Sequence, residues 1–347
     1  MSFPIKPHHR SDSEKNRIDG ALPEFRAALT GWFGEHGRAL PWRTPAPRDP
    51  YDILVSEIML QQTQVATVID YFQRWLRLFP SVAMLASASE DEVLHAWQGL
   101  GYYSRARNLY AAAWKIATEH GGLFPRAIEQ IRALPGVGPY TAAAVATFAF
   151  DQPEPPVDGN FIRVIARLLN FKKPVDAAPG LKFVRAAATR WQPETGAGLF
   201  NEALMELGAL VCTPRNPRCP VCPLRAFCRA EEPESLPVKK PRPRTVELDE
   251  QCGWIVRNGA VLLEQQTGKR WRGLWRLPLS TEPHGGLPLV KLKYPFTHHR
   301  VTLSVFNATC PLFLEANQRW VELGELASIA MPAPHRRALN KLLALTR

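Results

Sequence analysis

Four of the six cysteines in this 347-residue chain, Cys212, Cys219, Cys222 and Cys228, follow one another with the spacing C-x6-C-x2-C-x5-C. No other feature constrains the fold as tightly. Thiolates bind soft metals, and four in so short a stretch can surround a single centre. Structural zinc fits, because C-x2-C occurs in such sites. An all-cysteine set with a wide first gap fits a 4Fe–4S cluster equally well, and spacing alone leaves both open. Six cysteines are too few for a disulfide scaffold, so the pattern points to a reduced, cytosolic protein. Cys252 and Cys310 lie well beyond the cluster of four. Arg215, Arg218 and Arg225 lie inside the loop and Arg229 follows it, and a loop that holds arginines rigidly suits a phosphate clamp.

Charge narrows the partner. The chain has 43 Lys+Arg against 32 Asp+Glu, a formal net charge of +11, which favours nucleic acid or an anionic membrane face. The apolar run Pro139 to Phe150 is far short of the ~18–20 residues a membrane helix needs. The opening MSFPIKPHHRSDSEKNR has no apolar stretch of the signal-peptide kind, and a hydrophobic content of 46% excludes a wholly disordered chain.

Residues 1–20 read as a flexible basic tail, and 21–230 as an all-α domain. Ser89-Glu90-Asp91-Glu92 is a capping box ahead of an apolar-periodic segment. Pro50 and Pro139 each stand where the first turn of a helix tolerates proline. Residues 231–248, rich in proline and charge, read as a linker. Beyond it the pattern becomes that of a small α+β domain over 249–347. Asn258-Gly259 between two apolar runs predicts a hairpin, Val301 to Phe306 alternates as a strand would, and the last dozen residues read as a helix.

Three local patterns carry chemistry. In Leu134-Pro135-Gly136-Val137-Gly138-Pro139-Tyr140, two glycines allow close backbone approach and the following helix offers unpaired N–H groups. Gly136, Val137 and Gly138 are therefore candidate contacts to a DNA phosphate. Glu57 lies in a helix with Ile53, Leu54 and Leu60 one turn away, so desolvation should raise its pKa and keep it protonated. Asp158 immediately precedes the helical run FIRVIARLLN, and a helix N-terminus favours the ionised form. One carboxyl pushed up and one pushed down is the division of labour needed for glycosyl transfer.

LPGVGPYTA, VDGN, the cysteine loop, SEIMLQQTQV (56–65) and GLGYYSRARNL (99–109) together resemble the helix-hairpin-helix DNA glycosylases, and among them the adenine DNA glycosylase (MutY) branch. The likeness runs from about Leu40 to Cys228 and more weakly through the C-terminal domain. It implies a helix-hairpin-helix glycosylase domain with a 4Fe–4S cluster loop, followed by a Nudix-like α+β domain. It further implies base excision repair: removal of adenine opposite 8-oxoguanine or guanine from double-stranded DNA, by a cytoplasmic, nucleoid-associated monomer. A glycosylase for another mismatch or lesion on the same scaffold is the alternative. Bifunctional relatives carry lysine where this chain has Tyr140, so the resemblance implies a monofunctional enzyme.

By the same resemblance, Glu57 protonates the flipped adenine and Asp158 stabilises the sugar cation, with Tyr140 and Asn160 orienting them. Arg38, Leu40, Trp42 and Glu202 line the adenine pocket. Gln62, Thr63, Leu100 and Tyr102 wedge the duplex and contact the opposite base. Phe296-Thr297-His298 matches the lesion-reading Phe-Ser-His loop, with threonine in place of serine. No Glu-rich box follows Leu279, so nucleotide hydrolysis by the C-terminal domain is not expected, and that domain looks one element short.

Overall fold

The computed structural model describes residues 18–240, 244–268, 270–280 and 286–345. The expected tail therefore lies almost wholly outside the described residues. The helices are α1 (Leu22–His36), α2 (Pro50–Leu60), α3 (Val65–Leu78), α4 (Val82–Ser87), α5 (Glu90–Ala96), α6 (Ser104–Glu119), α7 (Ile128–Arg132), α8 (Pro139–Phe150), α9 (Gly159–Leu168), α10 (Ala178–Arg190), α11 (Ala197–Leu210) and α12 (Ala333–Leu345). The strands are β1 (Val246–Trp254), β2 (Val256–Arg257), β3 (Ala260–Gln265), β4 (Trp275–Arg276), β5 (Val290–Phe296), β6 (His299–Asn307) and β7 (Gln318–Glu322). Among the described residues no helix is long and apolar enough to cross a membrane.

The chain divides into two compact units, one of 1–57, 125–133 and 137–240, the other of 58–124, 134–136 and 241–347. The region expected as one domain, 21–230, is thus shared between the two units, and the division falls inside α2, after Glu57.

In the first unit α1, α9, α10 and α11 enclose a core centred on Phe25, whose ring meets Trp191 at 5.4 Å, Phe200 at 6.2 Å and Phe227 at 5.4 Å. Leu224 and Phe227 reach that core from the cysteine loop, so burial as well as metal binding anchors the loop. Pro139 opens α8 as expected, with Gly138 as its N-cap. Asp158 caps α9 by accepting a 2.7 Å bond from Phe161 N, which satisfies one of the amides left open at a helix start. The expected linker is shorter than its composition suggested. Leu236 is buried, Val238 O accepts from Val175 N, and Lys240 N donates to Asp176 at 3.0 Å. These bonds hold residues 236–240 to the first unit, and β1 begins already at Val246.

In the second unit Trp75 packs edge-on against Trp97 at 5.5 Å beneath α3 to α6, and Ser89 forms the expected capping box with Glu92. The C-terminal part holds a three-stranded sheet ordered β1-β6-β5 and a second sheet in which β3 pairs with β2, β4 and β7. Asn258 and Gly259, with φ of 49° and 76°, make the predicted hairpin turn. Strand β6 is real, but its place between a parallel β1 and an antiparallel β5 buries both faces at Val301 to Leu303 where alternation was expected. Helix α12 packs on β5. Among the described residues no helix stands between β1 and α12.

Candidate active site

Two carboxyl groups meet in the first unit. Glu57, only 5% exposed, accepts a 2.7 Å hydrogen bond at Oε2 from the Tyr140 hydroxyl. Burial pushes its pKa up to about 7; Tyr140 and Arg43 oppose the rise, while Asp158 and Glu202 reinforce it. Burial also raises the Tyr140 phenol well above its ordinary value, so it stays a neutral donor. Helix α2 delivers Glu57 with Ile53, Leu54, Ile58 and Met59 all buried around it, the desolvated setting that the sequence predicts.

Asp158 corrects its expectation. Its Oδ1 takes the Phe161 amide and its Oδ2 takes Asn160 Nδ2 at 2.9 Å, yet burial outweighs these bonds and the Arg163 charge, and its carboxyl is pushed up rather than down. A helix N-terminus favours the anion only so far as the cap remains near water. Asn160 is fixed in turn: Arg163 Nη2 donates to its Oδ1 at 2.7 Å and to Gly208 O at 2.7 Å. Arg163 Nε donates to Cys212 O at 2.7 Å. One guanidinium thus connects Asn160 to α11 and to the first residue of the cysteine loop.

The expected pocket residues are partly spoken for. Arg38 lies at the site, but Nε and Nη2 pair with Glu206 at 2.6 and 2.8 Å. Glu202 is clamped by Arg48 Nη1 and Nη2 at 2.6 and 3.0 Å. Arg43 bridges the two acids, 3.5 Å from Glu202 and 3.0 Å from Glu206. Trp42 is buried and Leu40 partly so. Sequence reasoning missed Arg43, Arg48 and Glu206. Their signal was Glu202 and Glu206 one turn apart on an otherwise apolar helix, a pattern that demands cations nearby.

Cys212, Cys219, Cys222 and Cys228 line one cavity of about 350 Å3 with Arg167 and Arg225. Among the described residues no three His, Cys, Asp or Glu side chains converge to hold a single metal ion. Four cysteine sulfurs on one cavity are a donor set that suits an iron–sulfur cluster. Arg167 Nη1 donates to Cys212 Sγ at 3.3 Å, the kind of outer-shell bond that tunes a thiolate ligand. Arg215 and Arg218 are both exposed, with Arg218 Nε donating to Leu210 O at 3.1 Å.

Comparison with known proteins agrees with this geometry. Residues 55–180 match the HhH-GPD superfamily base excision DNA repair proteins, 212–228 the iron-sulfur binding domain of endonuclease III, and 251–341 the NUDIX domain. The adenine DNA glycosylase of Rattus norvegicus is 44% identical over 243 residues, 67% of this chain and 45% of the rat protein. That of Mycolicibacterium smegmatis is 43% identical over 201 residues, 58% of this chain and 67% of the relative. The chain belongs to the adenine DNA glycosylase family. It spans under half the length of the mammalian family members it matches. A thermostable thymine-DNA glycosylase structure superposes with a TM-score of 0.56 at 29% identity, covering 62% of this chain and 98% of that one. An endonuclease III–DNA complex, with a TM-score of 0.52 at 23% identity, shares the fold. The cysteine loop is accordingly an iron–sulfur site, of the 4Fe–4S kind in this family.

In this adenine DNA glycosylase family member the residues expected to wedge the duplex lie in the second unit. Arg105 organises them: Nη1 donates to the carbonyls of Ile58, Met59 and Gln61 at 2.7–2.9 Å, and Nη2 to Thr63 Oγ1, Leu100 O and Gly101 O at 3.1–3.2 Å. Burial lowers its pKa to about 10. Sequence reasoning quoted Arg105 in a motif without giving it this task. Gln62, Tyr102 and Thr297 have φ of 58°, 47° and 53°, a left-handed backbone that non-glycine residues adopt at a cost. Gln62 and Tyr102 are exposed, while Leu100 is buried and serves packing. In the C-terminal loop Thr297 and His298 are exposed, and Phe296 instead holds the Arg270 guanidinium 4.2 Å from its ring centre.

Of the hairpin residues, Gly136 has φ +74° and a Cβ there would come within 2.5 Å of Asn108 Cβ. Gly138 faces open space, so its backbone stands clear beside the first turn of α8. Val137 is buried and has only its main chain to offer.

Proposed function

We propose that this protein is a monofunctional adenine-specific DNA N-glycosylase acting on adenine opposite 8-oxoguanine or guanine. The adenine leaves the duplex at a cost of a few kcal/mol and enters the site beside Glu57. The protonated Glu57 carboxyl gives its proton to a ring nitrogen of the base as the N-glycosidic bond breaks, its electron pair passing to the base. Such acid assistance is worth about 10²–10⁴-fold. Asp158 as an anion balances the positive sugar and, on the family pattern, bonds to it transiently. Water then takes that place, losing its proton to Glu57, and the product keeps the starting configuration. Asn160 holds Asp158, and Tyr140 holds Glu57. No amine stands at Tyr140 to form the imine that strand cleavage requires.

The single observation behind this reading is the buried Glu57 carboxyl, held by the Tyr140 hydroxyl at 2.7 Å and acted on by the half-buried carboxyl of Asp158. The main chain of Gly136 to Gly138 and the Arg215 side chain are assigned to phosphates, Gln62, Thr63 and Tyr102 to the opposite base, and Thr297 and His298 to 8-oxoguanine. The test is single-turnover base release from duplexes carrying adenine opposite 8-oxoguanine, guanine or thymine. Release should be fastest opposite 8-oxoguanine, slower opposite guanine and negligible opposite thymine. The likeness to a thymine-DNA glycosylase gives the competing outcome: release of thymine from a thymine·guanine duplex, with adenine untouched, would overturn the proposal.

A further inference from the structure

The adenine site is backed by a ladder of alternating charge, Arg48–Glu202–Arg43–Glu206–Arg38. Every neighbouring pair is an ion pair: 2.6 Å for Arg48 to Glu202, 3.5 Å for Arg43 to Glu202, 3.0 Å for Arg43 to Glu206 and 2.6 Å for Arg38 to Glu206. Glu206 is 1% exposed at its side chain and Arg43 12%. Backbone carbonyls hold the cations in place, with Arg43 Nη1 on Arg38 O at 3.1 Å and Arg48 Nε on Thr44 O at 2.7 Å. The Phe33 ring lies 5.2 Å beneath the Arg43 guanidinium.

The middle rungs of the ladder act on the proposed acid through their charges. The charged and titratable groups that act on Glu57 are Tyr140 from α8, Asp158 from the cap of α9, Glu202 from α11 and Arg43 from the segment before α2. Arg43 and Glu202 act in opposite senses, and each is shared with a residue that does not act on Glu57 directly. Glu206 draws off Arg43, and Arg48 neutralises Glu202. Alone, burial would push the Glu206 carboxyl up, but the bonds from Arg38 and Arg43 hold it at about 2, so it remains an anion throughout the working range. Two buried acids with three cations exceed what fold stability calls for, since a buried ion pair is commonly no better than a hydrophobic pair.

We propose that Glu206 and Arg48 are positioning residues that fix how strongly Arg43 and Glu202 act on Glu57. Neither meets the substrate. Removing the Glu206 charge leaves Arg43 uncompensated beside Glu57 and favours the Glu57 anion. Removing the Arg48 charge leaves Glu202 uncompensated and favours the neutral acid. The two losses therefore have opposite signs. This inference rests on the role given to Glu57 under the proposed function.

The experiment is the pH profile of single-turnover adenine release by the full-length chain, with Glu206→Gln and Arg48→Gln as variants. The alkaline limb should move to lower pH by about one unit in Glu206→Gln, which is about a tenfold loss above the limb, and toward higher pH in Arg48→Gln. Equal loss at every pH in both variants, or shifts of the same sign, would overturn the inference. Glu206→Asp keeps the charge and should restore the wild-type limb even at a lower maximal rate. Should Glu206→Gln fail to fold, Arg48→Gln carries the test by itself, since a limb that stays in place or moves to lower pH there would overturn the inference. The Glu57 carboxyl is followed in parallel by infrared difference titration against Glu57→Gln. A wild-type chain that releases no adenine would refute the proposed function, while the titration still judges the ladder by the same two opposite shifts.

Discussion

The Tyr140 hydroxyl donates to Glu57 Oε2 at 2.7 Å, and this bond restrains a carboxyl that burial pushes up to about 7. The neutral acid does the proposed work, so adenine release should fall as pH rises through about 7. Tyr140→Phe removes a donor that favours the Glu57 anion. Its alkaline limb should lie at higher pH than wild type even though its maximal rate is lower. Rates measured from pH 5.5 to 9 check the direction, and a shift to lower pH would contradict it.

Glu57→Gln should abolish release and stabilise the fold at alkaline pH. The sign follows from linkage: a carboxyl raised from 4.5 to about 7 on folding contributes fully below pH 4.5 and loses that contribution as pH rises to about 7. Gln carries no such penalty. A tenfold change in proton affinity on folding is worth about 1.4 kcal/mol. The variant should therefore gain a few kcal/mol relative to wild type between those limits and hold that gain above them. Thermal melts at pH 5 and pH 8 test this, since the difference in Tm should be small at the first and large at the second.

Gly208 on α11 is fitted against Asn160: a Cβ there would lie 2.7 Å from Asn160 Cβ and 3.3 Å from its Cα. Gly208→Ala should displace Asn160 and with it the Oδ2 bond that holds Asp158. Adenine release is expected to drop about 10–100-fold, as small misplacements of catalytic groups do. Duplex affinity and iron content should stay close to wild type. A variant with unchanged single-turnover rate would show that Asn160 does not orient the anion.

Arg105→Leu leaves five backbone carbonyls and Thr63 without their common donor. A buried carbonyl left without its donor costs about 1–3 kcal/mol. The loops carrying Gln62 and Tyr102 should loosen, so preference for the base opposite adenine should fall more than the rate on the preferred duplex. A ratio of rates for 8-oxoguanine and guanine duplexes equal to wild type would count against this.

Thr297 occupies the first position of the two-residue turn joining Phe296 to its partner His299, with φ +53°. A β-branched residue is strained there, and Thr297→Ser should raise stability by up to about 1 kcal/mol. The serine keeps the hydroxyl, so selectivity for 8-oxoguanine should persist. Thr297→Ala should lower selectivity instead, and competition binding between 8-oxoguanine and guanine duplexes separates the two variants.

Much of the chain's organisation was written in one dimension. The capping box at Ser89, the prolines opening α2 and α8, the Asn258-Gly259 turn and the change from helix to strand signals after residue 248 all depend on residues close in sequence. So did the burial of Glu57, because Ile53, Leu54 and Leu60 surround it on its own helix. The cysteine spacing likewise identified a metal loop, since its four ligands are local.

The tertiary structure decided whatever depends on neighbours distant in sequence. Asp158 is a helix cap by local pattern, but its direction of titration came from the burial of the site around it. Arg38 pointed to a pocket by resemblance, yet its guanidinium belongs to Glu206, 168 residues away. Arg105 and Arg163 are ordinary helix residues in sequence, and only folding brings their carbonyl partners together. Propensity and periodicity report each residue's own segment, whereas desolvation and ion pairing sum over every group within a few ångströms, and the fold alone chooses those groups.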